Sequence, residues 1–232
     1  YVGSRRLFKK LKNSLPEEQI QKLENEGKTV VIVGTEKEII GLIAVMDKIR
    51  DTTIETISKL RGIGIKTIMI TGDNERTAKA IARRIGIEEY RAELLPEDKV
   101  KIVRKLSVNY GHVAMVGDGV NDAPALASAN VGIAMGAIGS DVSLETADIA
   151  LMQDDLSKLP YLVKLSERTL KIVKENVLAS ILIKGSFAVL AFPGLITLWL
   201  AVAIGDMGLS LAVILNAMRL SLIRPETLTR SS

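Results

Sequence analysis

Met115-Val116-Gly117-Asp118-Gly119-Val120-Asn121-Asp122-Ala123-Pro124-Ala125-Leu126 is the stretch whose reading decides the fold. The apolar run from His112 to Val116 reads as a short buried strand that breaks at Gly117. It delivers two carboxylates, Asp118 and Asp122, into the loop that follows. Pro124 then opens a helix, where a missing N–H costs little. In open α/β sheets, ligands sit in the crevice beyond the carboxyl ends of the strands. Two acids at such a strand end suit Mg²⁺, which takes one or two carboxylates with water and phosphate oxygens. Gly117 and Gly119 let the backbone turn tightly and approach a ligand. Asp, Gly and Asn also dominate ordinary turns, so Gly-Asp-Gly alone would decide nothing. The attached Asn-Asp-Ala-Pro-Ala-Leu moves the reading to a ligand loop.

Outward from this loop, strand and helix alternate. Ile65 to Ile70 reads as a strand followed by Thr71-Gly72-Asp73-Asn74, then a helix from Glu75 to Ile85 stopping at Gly86. Pro96 opens a helix with Val100, Val103 and Leu106 on one face, and strands are expected at Val131 to Met135 and Ile149 to Met152. Asp51 can cap a helix to Leu60. This alternation implies βαβ crossovers and a parallel, Rossmann-like sheet. Residues 1 to 46 differ. Two short helices, the second with Pro16 in its first turn, precede a hairpin of Val30–Val33 and Ile39–Val45, as expected for the end of an α+β domain that begins earlier.

The 232 residues suffice for one or two domains. There is no cysteine, which excludes disulfides and thiolate metal sites within this chain. The net charge of +4 is spread without a basic block, and aromatics are only 3%, so nucleic acid is a poor partner. The single histidine, His112, reads as a surface residue at the start of the strand before the loop, and Met69, Met115 and Met135 as core.

The last quarter is strongly apolar. A Leu- and Lys-rich helix from Leu156 to Lys174 runs on into Asn176–Phe192, with one charge, Lys184. After Pro193-Gly194, Leu195–Met218 carries one charge, Asp206. Roughly 20 residues suffice to cross a bilayer. Lys171 and Lys174 precede the first segment, and Arg219 and Arg224 follow the second. A transmembrane hairpin with both ends on the cytoplasmic side is expected.

Thr71, Lys99 and the Asp118–Asp122 pair offer a hydroxyl, an ammonium and metal-holding carboxylates, as a phosphoryl group requires. Thr71-Gly72-Asp73-Asn74, Leu95-Pro96-Glu97-Asp98-Lys99 and the stretch from Met115 to Leu126 resemble the later motifs of P-type ATPases, within the haloacid dehalogenase-like superfamily. The resemblance covers essentially the whole chain. It implies that Thr71 and Lys99, with Gly72 beside them, contact the phosphoryl group, and that Asp73 lies near the nucleotide, ATP. It implies that Asp118 binds Mg²⁺ and that Asn121 and Asp122 support that site. The family's nucleophile lies in Asp-Lys-Thr-Gly-Thr, which is absent. Asp47-Lys48-Ile49-Arg50 resembles instead the hinge element between nucleotide and phosphorylation domains. The chain is therefore expected to be the later part of a longer pump, unable to phosphorylate itself.

Lys184, with Asp206-Met207-Gly208 and Asn216-Ala217-Met218-Arg219-Leu220, resembles the last two helices of the zinc/cadmium/lead-transporting subgroup. This implies a transported-ion site of Asp206, Lys184 and Gly208. An ionisable residue at membrane depth is costly and usually functional, and the two charges can pair or serve a transported cation. The expected division is 1–46, end of the nucleotide-binding domain; 47–155, second part of the phosphorylation domain; 156–220, linker helix and transmembrane pair; 221–232, cytoplasmic tail. The expected partners are ATP, a divalent heavy-metal cation, the lipid bilayer and the rest of the pump. The expected place is the cell membrane, with the catalytic domain in the cytoplasm. Other readings are a membrane-anchored phosphatase with Asp47 as nucleophile, another metal such as Cu⁺ or Co²⁺, and a non-catalytic module.

Overall fold

The computed structural model describes residues 1–11, 13–46, 48–119, 121–136 and 145–223. The chain divides into two compact units, Tyr1–Ser157 and Lys158–Ser232.

The first unit opens with β1 (Val2–Gly3), α1 (Arg5–Lys10), α2 (Glu17–Asn25), β2 (Thr29–Gly34) and β3 (Ile39–Val45). The three strands form an antiparallel sheet in the order β1-β2-β3, with Val31 opposite Ile43. Alternate residues of β2 point to one face, where Val30 and Ile32 meet Phe8 of α1 and Ile20 of α2. Pro16 is the N-cap of α2 rather than a residue of its first turn. Asp47, the tempting nucleophile, lies outside the described residues.

Next come α3 (Asp51–Gly62), β4 (Ile68–Ile70), α4 (Glu75–Ile85), β5 (Glu89–Arg91), α5 (Pro96–Tyr110), β6 (Ala114–Gly117), α6 (Ala123–Ser128), β7 (Val131–Met135) and β8 (Ile149–Leu151). Among the described residues the expected parallel sheet is two parallel ladders, β4-β5 and β6-β7-β8. The strand β5 was not expected. Glu89-Tyr90-Arg91 has no apolar run to announce it, and only its pairing with Ile68–Ile70 makes it a strand. The strand expected at Ile65 begins at Ile68, and that expected at His112 begins at Ala114 and includes Gly117. The N-cap of α3 is Arg50, with Asp51 its first helical residue. There the carboxylate acts on the helix dipole rather than as a cap. His112 is exposed and precedes β6.

The termini of α4 follow their sequence. The Asn74 side chain accepts the N–H groups of Arg76 and Thr77, and Gly86 closes the helix at φ 78°, where only glycine is unstrained. The core beneath the strand ends contains Val103, Met115, Ala125, Leu126 and Ala134, with Ile70 and Val100 packed against it.

The second unit is helical. The expected linker and first apolar segment form one continuous helix, α7 (Lys158–Ala191). The second segment begins at Leu198, three residues later than expected, as α8 (Leu198–Val202). It continues through a π-helical turn (Ala203–Gly208), α9 (Leu209–Met218) and a 3₁₀ turn (Arg219–Leu222). Of these, Ala203–Leu222 is long and apolar enough to cross a membrane. In α7 the apolar half follows Lys174-Glu175 and is interrupted by Lys184.

Candidate active site and helix-pair site

β4 ends at Ile70, and Thr71 follows. The Thr71 backbone N–H donates to Arg91 O at 2.9 Å, and Thr71 O accepts from Leu94 N–H at 3.1 Å. These bonds set the loop after β4 against the chain leaving β5. The Thr71 hydroxyl donates to Asp73 Oδ2 at 3.0 Å and accepts the Asp73 N–H at 3.1 Å. The other carboxylate oxygen, Asp73 Oδ1, accepts the Thr29 hydroxyl at 3.4 Å. Thr29 is a contact that sequence reasoning missed. It stands 44 residues from Asp73 in the chain, and no local pattern joins them.

Lys99 is the fourth residue of α5, and the Asp98 carboxylate turns back to accept the Leu95 N–H at 3.4 Å. The Lys101 ammonium first, then the Leu95 N–H, hold the Asp98 carboxyl below its ordinary value. Lys99 Nζ reaches Asp122 Oδ1 at 2.6 Å. Both side chains are largely covered, at 16% and 15% exposure. Asp122 thus stands in an ion pair spanning 23 residues, just before α6. Gly117 permits this: a Cβ there would meet Asp122 Cβ and Oδ2 at 2.8 Å. Asp118 is exposed, and its Oδ1 accepts the Asn121 N–H at 3.2 Å.

The structure therefore joins Lys99 to Asp122, Asp118 to Asn121, and Thr71 to Asp73 by direct bonds. Ile70, Val100 and Met115 share one core cluster. That cluster brings the chain before Thr71, the residue after Lys99 and the strand before Asp118 to one body of packing. Gly72 adds a close approach, since a Cβ there would lie 3.2 Å from Leu94 O. Among the described residues no group of three His, Cys, Asp or Glu side chains gathers to hold a metal. The sequence expectation is a pair of carboxylates, Asp118 and Asp122, and two carboxylates are a usual protein share for Mg²⁺.

In the second unit, Lys184 Nζ donates to Asp206 Oδ1 at 2.9 Å. Asp206 stands on the π-helical turn, a feature frequent at functional sites. Gly205, one residue earlier, packs on Phe187, with room for a Cβ only 3.0 Å from Cδ2. Gly208 ends the turn and is spared such a clash, a Cβ there lying 3.7 Å from Ala203 O. Further along, Asn216 Nδ2 donates to Asn176 Oδ1 at 2.8 Å. Arg219 Nη1 donates to Asn216 Oδ1 at 2.8 Å and lies 3.4 Å from Glu175 Oε2. Two polar layers thus tie the helices, and the second was not foreseen as a contact.

A family profile described as haloacid dehalogenase-like hydrolase matches residues 1–130. The chain is 52% identical, over 97% of its length, to a probable cadmium-transporting ATPase of Alkalihalophilus pseudofirmus, covering 32% of that protein. It is 50% identical, again over 97%, to a cadmium-transporting ATPase of Staphylococcus aureus, covering 31% of it. The crystal structure of a zinc-transporting PIB-type ATPase in the E2.Pi state matches 88% of this chain and 33% of its own, at 44% identity and a TM-score of 0.75. The chain thus spans about a third of the length of these relatives. The profile match over more than half of the chain, on the α/β unit that carries the strand-end acids, places it: this chain belongs to the haloacid dehalogenase-like hydrolase family.

Proposed function

We propose that this chain supplies the phosphate-handling and ion-gating parts of an ATP-driven heavy-metal export pump that works through an aspartyl-phosphate. The observation that carries the reading is the covered Lys99–Asp122 pair beside Asp118 at the strand ends. The names of the cadmium- and zinc-transporting relatives support it. The nucleophilic aspartate would come from outside these 232 residues, since no Asp-Lys-Thr-Gly-Thr occurs in them.

Bound Mg²⁺ would supply positive charge to the phosphoryl oxygens, with Asp118 and Asp122 as its protein ligands. The chain's own groups do the rest. Lys99 holds Asp122 in place and presents an ammonium at the first turn of α5, where the helix dipole also favours anions. The Thr71 hydroxyl donates to Asp73 in this structure. To donate to a phosphoryl oxygen its proton must turn from the Asp73 carboxylate, which keeps the Thr29 hydroxyl as a partner, while the Thr71 oxygen can still accept the Asp73 N–H. Asp73 thus holds Thr71 until ligand arrives.

Asp206 offers oxygen to the transported cation, a donor suited to Zn²⁺ and Cd²⁺ better than to soft Cu⁺. Lys184 keeps that carboxylate paired when the cation is absent. The helix pair spans the cell membrane, with the catalytic unit in the cytoplasm. Trp199 and Phe192 flank the uncharged turn, at 85% and 97% exposure, as interfacial aromatics do.

In the complete gene product, ATP hydrolysis is expected to rise with added Cd²⁺ or Zn²⁺ and to form an acid-stable, hydroxylamine-sensitive phosphoenzyme. Hydrolysis at one rate with and without these cations would overturn the pump reading.

A further inference from the structure

We propose that the end of the helix pair nearest Lys174 binds anionic lipid headgroups through Arg168, Lys171 and Lys174. This rests on the membrane reading above. The three cations lie on the last turns of α7 before its apolar half, and all are exposed. None of their side chains forms an ion pair or hydrogen bond among the described residues. Glu167 stands at helical spacing before Lys171 and does not pair with it. Glu175 is taken by Arg219, at 3.4 Å. The fourth cation at this level is therefore spent inside the protein, and three remain.

Their depth fits a headgroup layer. At about 1.5 Å per residue, Lys174 and Lys171 lie about 3 and 8 Å before Asn176, where the apolar run begins, and Arg168 about 12 Å. The polar layer on each side of a bilayer is about 5–8 Å deep. Lys171 and Lys174 thus fall within it, and Arg168 lies about half a Debye length beyond. Exposed Leu170, Val173 and Val177 carry the apolar surface of α7 down to the same level. Ammonium groups above and methyl groups beside them match an anionic lipid, a phosphate joined to acyl chains, better than a soluble phosphate. A basic group close to an anionic leaflet favours it by about fivefold.

The test uses the whole 232-residue chain reconstituted in phosphatidylcholine vesicles containing trace spin-labelled phosphatidylglycerol or spin-labelled phosphatidylcholine. The motionally restricted fraction of each label gives their relative association constants. At low salt, phosphatidylglycerol is expected to exceed phosphatidylcholine by about fivefold. The ratio should fall toward unity in Arg168→Gln/Lys171→Gln/Lys174→Gln, and in 1 M salt. Arg219→Gln should keep it, with circular dichroism confirming the helices in every variant. A ratio near unity in the unaltered chain, or an unchanged ratio in the triple variant, overturns the lipid site. An equal loss from Arg219→Gln overturns its assignment to these three residues. Absence of any restricted component with either label overturns the membrane reading itself, and the lipid site with it.

Discussion

The molecule contains two lysine–aspartate pairs of the same chemistry in opposite surroundings. Lys99 and Asp122 meet at 2.6 Å and are 16% and 15% exposed. Lys184 and Asp206 meet at 2.9 Å and are 59% and 65% exposed. The first pair is covered by its own unit: the core under β6, the Gly117 backbone and the helix α6. The second stands on two helices whose neighbours are apolar side chains facing outward. An exposed pair in water contributes about 0–1 kcal/mol. The same pair against hydrocarbon is far stronger, because a lone charge there costs several kcal/mol. Protein supplies the low dielectric in one case, and the surroundings must supply it in the other. The comparison teaches that a site can be complete in geometry and still depend on its medium.

The strongest test of that contrast is catalytic. In the complete protein, Asp118→Ala is expected to lower cation-stimulated ATP turnover by on the order of 10²–10³-fold. Asp206→Ala should remove the stimulation while leaving a phosphoenzyme that forms from inorganic phosphate. If metal-stimulated hydrolysis survives in Asp206→Ala, the ion-gating half of the comparison fails.

Stability should separate the pairs next. Lys99→Met strands a covered carboxylate and should cost about 1–3 kcal/mol, seen as a lower melting temperature of the first unit. Lys184→Met should cost no more than about 1 kcal/mol in a water-rich, loosely packed detergent shell, and clearly more in vesicles. Equal losses in both media would mean that the second pair does not feel the bilayer.

A smaller, local effect is expected at α4. Asn74→Ala removes the acceptor for Arg76 and Thr77 N–H and should cost about 1 kcal/mol. Hydrogen exchange should speed at those two amides, with Lys99 and Asp122 untouched.

The smallest effect is one of pH. The Lys66 ammonium, 2.5 Å from Glu89, holds that carboxyl below its ordinary value against a smaller opposing effect of burial. A lowered folded value means that the stabilisation is present above the ordinary carboxylate range and is lost as pH falls through the lowered value. A carbon-detected titration of Glu89 should show its midpoint below that of an unfolded glutamate, about 4.3. A midpoint at or above that value would remove Lys66 as the cause.

Much of this was legible in the chain. Asn74, Gly86 and Pro96 mark helix ends through local backbone chemistry, and the structure puts ends there. Thr71 and Asp118 stand out because strand ends followed by polar loops are where α/β sheets hold ligands, whereas Lys99, in the first turn of α5, stands out only through the resemblance of Leu95-Pro96-Glu97-Asp98-Lys99. Other features left no local trace. The strand Glu89–Arg91 is made by its partner, not by its own residues. Thr29 reaches Asp73 only because β2 passes the loop after β4. The division of the parallel strands into two ladders depends on pairing at long range, and periodicity is silent on it.

The sequence by itself determined the alternation of elements, the helix ends, the two apolar segments and the acids at the strand tip, because each follows from backbone and side-chain properties within a few residues. Tertiary structure alone decided that Lys99 takes Asp122 across 23 residues, that Asn216 takes Asn176 across 40, and that a π-helical turn carries Asp206 to Lys184. These are contacts between distant segments. Their existence depends on which surfaces pack together, and local propensity holds no record of that.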